Sequence, residues 1–187
     1  MANSDDRIDQ RVSFQPINIA VMTVSDTRTT ENDKSGNLLI ERLTDDGHNL
    51  AHRAIVTDDV NAIVNQLRQW IDDDMVDAIV TTGGTGLTGR DVTPEAMREV
   101  FEKEIEGFGE LFRFLSYQKI GTSTIQSRAL AGVAGGTYMF ALPGSPSGCR
   151  DGWDDILHYQ LDIRHKPCNF VEIMPRLTEA VNQRRRG

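Results

Sequence analysis

The chain has 187 residues, 39% of them hydrophobic and 26% charged, which suits one globular domain with room for a layered core. A formal net charge of −8 argues against nucleic acid as a main partner, because grip on a phosphate backbone calls for a basic face. No run approaches the roughly 18 apolar residues of a membrane helix, and residues 1–10 lack the apolar centre of a signal peptide, so the reading is a cytoplasmic protein without membrane contact.

Residues 1–15 are polar and read as a flexible N-terminal extension. Residues 17–24 are apolar and β-branched and predict a first strand, which ends in Ser25-Asp26-Thr27-Arg28. A helix follows over 35–46, with Leu38, Leu39 and Leu43 on one face and Gly47 as its C-cap. Residues 49–56 predict a second strand ending in Thr57-Asp58-Asp59. Val60, Ile63, Val64, Leu67, Trp70 and Ile71 then recur at spacings of three and four, the clearest helix in the chain. His48 and His52 are four apart, but on a strand they do not converge, and no third ligand is near; they read as surface or structural residues. Cys149 and Cys168 are too far apart for a Cys-x-x-Cys site and read as packing residues.

Residues 76–80 predict a third strand, buried in a parallel sheet. It opens onto Thr81-Thr82-Gly83-Gly84-Thr85-Gly86-Leu87-Thr88-Gly89-Arg90-Asp91-Val92-Thr93-Pro94-Glu95, around which the chain is organised. Glycines here let backbone N–H groups approach an anion closely, while Thr93 reads as an N-cap and Pro94 as the first helical residue. A bare tight connection is the competing reading. Gly84 to Gly89 has the gap of a Walker A loop, but Arg90 and Asp91 stand where Lys and Ser/Thr are needed, and no Gly-x-Gly-x-x-Gly fingerprint exists.

Ala96, Met97, Val100 and Phe101 form a helical stripe, which breaks near Gly107 and Gly109 and resumes at Leu111, Phe112 and Leu115 as a second short helix. Residues 121–128 read as a loop with a helical turn whose Ser and Thr serve capping or ligand contact. Gly135-Gly136 predicts a hairpin turn between 131–134 and 137–142. Pro143-Gly144-Ser145-Pro146 then starts a last helix over 146–158, with Ser145 as N-cap. Residues 173–187 read as a tail, its Arg184-Arg185-Arg186 run a solvated terminus.

Strands alternating with helices predict an α/β fold with a mostly parallel, doubly wound sheet flanked by helices. In such a sheet the strands' carboxyl ends share one rim where ligands bind, which gathers Thr23, Ser25, Asp26, Asp58, Gly83, Gly84, Thr85, Gly86, Asp91, Pro143, Gly144 and Ser145. Helix N-termini at Thr93-Pro94 and Ser145-Pro146 favour phosphate, yet Asp58 and Asp91 would repel it unless a cation intervenes. Mg2+, which takes carboxylate and phosphate oxygens together, resolves that conflict and points to transfer of a phosphorus-containing group. Helix capping by the same acids is the competing reading.

Three motifs, Thr23-Val24-Ser25-Asp26, Thr82-Gly83-Gly84-Thr85-Gly86 with Asp91-Val92-Thr93-Pro94-Glu95, and Leu142-Pro143-Gly144-Ser145-Pro146, resemble those of the molybdopterin-binding (MoaB/MogA) family. Gly107-Phe108-Gly109-Glu110, Gly121-Thr122-Ser123-Thr124, Gln126-Ser127-Arg128 and Arg164-His165-Lys166-Pro167-Cys168-Asn169-Phe170 narrow the resemblance to its B branch, over residues 17–170. The resemblance implies a three-layer domain over 16–172, a homo-oligomer (trimer or hexamer), and binding of molybdopterin, a pterin with a dithiolene and a terminal phosphate. It also implies molybdenum cofactor biosynthesis, with other proteins of that pathway as partners. Active members adenylylate the pterin's phosphate with Mg-ATP; Asp58 and Asp91 match the family's acids and would be catalytic and hold the metal, while the glycine loop and Pro143-Gly144-Ser145 would contact substrate. Ser147 stands where the family usually has Lys, which leaves open a non-catalytic molybdopterin-binding or carrier protein, or compensation by Arg150.

Overall fold

The computed structural model describes residues 7–179. Its elements are β1 (Asn18–Val24), α1 (Lys34–Asp45), β2 (Asn49–Val56), α2 (Val60–Ile71), β3 (Ala78–Thr82), α3 (Thr93–Val100), β4 (Lys103–Glu104), α4 (Glu106–Ile120), β5 (Leu130–Ala134), β6 (Thr137–Leu142), α5 (Pro146–Gly152), α6 (His158–Gln160) and α7 (Phe170–Ile173). A 3-10 turn, Gly121–Gln126, follows α4, and a wider π turn, Trp153–Leu157, carries α5 into α6.

One six-stranded sheet runs in the order β2-β1-β3-β6-β5-β4. The pairs β1–β2, β1–β3 and β3–β6 are parallel, and β5 and β4 close the far edge antiparallel. Strand alternation sends side chains to opposite faces. From β1, Ile19 and Val21 join α1, α4 and the π turn on one face through Leu39, Leu43, Phe112 and Trp153. Ala20 and Met22 point the other way, onto Ile63, Val64 and Leu67 of α2 and Met97 of α3. The result is helix, sheet, helix: the three layers expected. Each fully buried side chain of this size contributes roughly 1.5–3 kcal/mol.

The predicted bounds of β1, β2, α2 and the β5–β6 hairpin hold to within a residue, and Gly135 and Gly136 both turn with positive φ (60° and 94°). Two expectations are corrected. Gly107 and Gly109 do not break a helix; both lie inside α4. The interruption falls earlier, where β4 pairs with β5 through Lys103 and Glu104. Finally, the described part of the supposed flexible extension is tied down: Asp9 N–H donates to the Arg164 carbonyl at 2.9 Å, Lys166 N–H to the Arg7 carbonyl at 2.9 Å, and the Arg164 guanidinium lies 5.1 Å over the Phe14 ring. Arg184-Arg185-Arg186 lies outside the described residues. Among the described residues no helix is long and apolar enough to cross a membrane.

Candidate functional site

Because β1, β3 and β6 are parallel, their carboxyl ends deliver Ser25, Gly83 and Pro143 to one rim. After β3 the chain turns through Gly83 (φ 101°) and Gly84 (φ 62°). A side chain at Gly83 would strike the Val24 carbonyl, and one at Gly84 the Thr93 hydroxyl, so sterics and φ both demand glycine. Gly83 N–H extends the β3–β6 ladder to the Leu142 carbonyl at 3.2 Å. Among the described residues, the Gly84 and Thr85 N–H groups meet no protein acceptor, leaving two neighbouring donors at the head of the turn.

Thr93 does not cap α3 as expected. It is the first helical residue, with Pro94 next, and its hydroxyl donates back to the Gly83 carbonyl at 2.8 Å while its N–H donates to the Gly84 carbonyl at 3.0 Å. The turn carbonyl is the better-placed partner, so Thr93 pins the cradle to the helix. Ser145, by contrast, caps α5 as predicted, accepting from Gly148 N–H at 3.1 Å.

Asp91 closes the far side of the loop, its Oδ2 accepting from Thr88 N–H and Thr88 Oγ1, each at 2.7 Å. Burial pushes its carboxyl up, but those bonds and a further one from Gly86 N–H outweigh it and hold the pKa below the ordinary value. Arg128 stitches the same loop from outside. Its N–H donates to the Thr85 carbonyl at 3.0 Å, Nε to Gly86 O at 2.7 Å and Nη2 to Asp91 O at 2.6 Å, while Nη1 pairs with Glu95. Only the family motif marked this residue in the sequence; spacing gave no sign of it.

Across the turn, the loops after β1 and β2 are crossed by a reciprocal pair: Asp26 N–H donates to Asp58 Oδ2 at 3.0 Å and Asp58 N–H to Asp26 Oδ1 at 3.2 Å. Asp59, not Asp58, caps α2. Burial raises the Asp58 pKa, and the charges of Asp26 and Asp91 raise it further. Arg90 pairs with Asp26, strapping the cradle loop to β1.

These residues line two adjoining hollows that share Gly84 and Gly144. The smaller, of about 260 Å³, holds Thr23, Ser25, Asp58 and Gly83. The larger, of about 550 Å³, holds Thr85, Gly86, Asp91, Pro143 and Ser145. Asp26 lines neither and braces Asp58 instead. Thr23 spends its hydroxyl proton on buried Asp33 at 2.7 Å, so toward a ligand it can only accept. Arg150 is exposed and outside both hollows, whereas Ser147 lines the larger one, together with Phe112, Lys119, Ile120 and Asp151. Sequence reasoning missed these last four, because nothing in the pattern of α4 or α5 says which of its sides meets the hollow. Among the described residues no three His, Cys, Asp or Glu side chains cluster as a self-sufficient metal site. The donors that are present, Asp58 and Asp91, are hard oxygens few enough to leave most of a cation's coordination to ligand phosphate and water, which suits Mg2+.

Fold and site define an α/β protein with a ligand-sized hollow at the carboxyl edge of its parallel strands, headed by a glycine turn and flanked by carboxylates. The family described as "Probable molybdopterin binding domain" matches residues 20–163. Molybdenum cofactor biosynthesis protein B of Escherichia coli (strain K12) is 50% identical over 157 residues, covering 84% of this chain and 92% of that relative. A solved structure of a molybdenum cofactor biosynthesis protein B superposes with a TM-score of 0.74 at 37% identity, covering 92% of this chain and 98% of that one. The tungsten cofactor synthesizing protein MoaB from Pyrococcus furiosus gives 0.69 at 38% identity, covering 76% and 91%. The chain belongs to the molybdopterin-binding domain family of molybdenum cofactor biosynthesis.

Proposed function

We propose that this chain binds molybdopterin and, with Mg-ATP, transfers AMP to its terminal phosphate. The observation that carries this reading is the placing of Asp58 and Asp91 on either side of one glycine turn, in hollows joined at Gly84 and Gly144. A terminal phosphate brought to the turn is met by the Gly84 and Thr85 N–H groups, with Thr93 and Arg128 keeping those donors in place. An oxygen of that phosphate attacks the α-phosphorus of ATP; a new P–O–P link forms, the α–β bridge breaks, and pyrophosphate leaves with the electron pair. Asp58 and Asp91 would hold Mg2+, which when bound neutralises charge on the phosphates. Burial is the main cause that raises the Asp58 pKa, and the charges of Asp26 and Asp91 add to it; that neighbouring negative charge supports a cation there.

The same reading has the chain working in the cytoplasm as a homo-oligomer, in contact with other proteins of the pathway. A second reading, a non-catalytic molybdopterin carrier, is favoured by one observation: on α5, at the position where the family usually has Lys, it is Ser147 that lines the hollow, and Arg150 is outside the lining.

Purified protein incubated with molybdopterin and Mg-ATP separates the two. Adenylylated pterin and pyrophosphate are expected; tight pterin binding without pyrophosphate supports the carrier, and absence of both overturns either reading. Asp91→Asn keeps an oxygen for Thr88 N–H while removing the charge, and is expected to slow product formation by about 10²-fold or more. An undiminished rate would remove the role given to Asp91.

A further inference from the structure

The larger hollow is not uniform. Its head carries the free N–H donors of the glycine turn, and Phe112, Ile120 and Pro143 give it apolar wall. Along α5 its lining passes from Ser147 and Gly148 to Asp151, one helical turn on the same face. Asp151 stands five positions beyond Pro146, about 7.5 Å along the helix axis at the usual rise per residue. One end therefore suits an anion and the other a group rich in hydrogen-bond donors, with apolar wall in the same hollow.

The geometry points to Asp151 as the residue that recognises the pterin ring through its 2-amino group and ring N3–H. This inference rests on the molybdopterin reading above. Those two donors lie side by side on one edge of the heterocycle, and a carboxylate offers two acceptors at matching separation, a charge-assisted and bidentate arrangement. Asp91, the other carboxylate in this hollow, is poorly suited, because Thr88 already occupies its Oδ2 twice.

Lys119 of α4 acts as the positioning residue. It donates to Asp151 Oδ1 at 2.8 Å and to Asp155 Oδ2 at 2.7 Å, fixing the first carboxylate from the side. The bonds to Asp151 and then Asp155 also raise its pKa, so it stays charged while it does so. Held between two anions, Lys119 is not the phosphate cation that Ser147 fails to supply. Asp155 is outside the lining and works only through Lys119. An ordinary ion pair between α4 and α5 would need the same contacts but would be indifferent to the ring edge, and that difference is measurable.

The probe is the phosphate monoester of 6-hydroxymethylpterin, titrated by its own fluorescence, alongside its N3-methyl derivative. Asp151→Asn is expected to raise the dissociation constant about tenfold to a hundredfold, and N3-methylation to cost the native protein a similar factor. The two losses should not add, because each removes the same contact. ATP affinity and thermal unfolding should stay as in the native protein. Equal pterin binding by native protein and Asp151→Asn, or fully additive losses, overturns the assignment while leaving molybdopterin binding intact. Failure of the native protein to bind the probe at all would overturn the molybdopterin reading and this inference with it.

Discussion

Asp46, just past the end of α1, accepts two donors at once, Trp153 Nε1 at 2.8 Å and His158 Nδ1 at 2.8 Å, and so clamps the π turn to α1. The hydrogen bond to Asp46 is the main cause that raises the His158 pKa; burial opposes it, and nearby Asp charges add to it. A raised folded-state pKa means that the fold prefers the protonated ring. The pair's contribution is therefore complete below the ordinary imidazole value and fades as pH climbs through the raised one. His48 works in the opposite sense: burial lowers its pKa, so acid opposes its folded form. Replacing His158 isolates the first effect. The melting temperature of native protein minus that of His158→Gln is expected to be largest near about pH 5.5 and to shrink toward about pH 8.5. With the His158 side chain 41% exposed, solvent screening should keep the change to a few degrees. A gap that does not move with pH would remove the ion pair from the account. Single residues were the least legible scale in the sequence: Asp58 and Asp59 are chemically equal neighbours, and only the loop path shows which one caps α2 and which meets Asp26.

At the scale of elements, sequence pattern served best where burial is periodic. The α2 stripe and the β-branched runs of β1 and β3 emerged because one face, or both, must leave water. It failed where an element is defined by pairing alone. Lys103 and Glu104 of β4 are charged and exposed, and nothing but their ladder to β5 makes them a strand. The glycines of α4 misled for a related reason, since propensity alone penalises them by about 1 kcal/mol each. Gly109 has a packing role: a Cβ there would stand 2.5 Å from the Ala129 carbonyl, just before β5, with the Arg113 guanidinium crowding the same spot. Gly107 meets nothing within 4 Å. Opposite signs follow for the same substitution two residues apart. Gly109→Ala is expected to destabilise by about 1–3 kcal/mol despite better helix propensity. Gly107→Ala should stabilise by about 0.5 kcal/mol. Urea unfolding of both variants checks this, and a shift of both in one direction would mean that propensity, not packing, governs α4.

At the scale of the whole molecule, the rim was legible because topology fixes it: parallel strands place every carboxyl end on one side, so β1, β3 and β6 had to deliver their loops together. What lies beneath that rim was not legible, since α4 comes from a segment with no strand-end signal. Its buried side, Phe108, Phe112 and Ser116, faces inward, and Phe112 and Ser116 border the hollow. Its other side carries Leu111, Phe114, Tyr117 and Ile120 in the open, 44%, 63%, 57% and 56% exposed, with Ile125 beyond them at 79%. Large apolar groups gathered on one side of a helix mark a surface that another protein covers. The homo-oligomer proposed above would supply that cover, and the apolar side of α4 is the face we expect it to use. Phe114 is the discriminating position, because it points away from the core and a charge there leaves the fold intact. Sedimentation velocity is expected to show the native chain as a trimer or hexamer and Phe114→Glu shifted toward monomer, with the far-ultraviolet spectrum unchanged. A native monomer would defeat the oligomer itself, whereas a Phe114→Glu protein that assembles normally would move the interface elsewhere. Because Ile120 belongs both to this exposed row and to the wall of the hollow, assembly and pterin affinity should fall together in the variant; a monomeric Phe114→Glu with native pterin affinity would show that each chain's hollow is complete on its own.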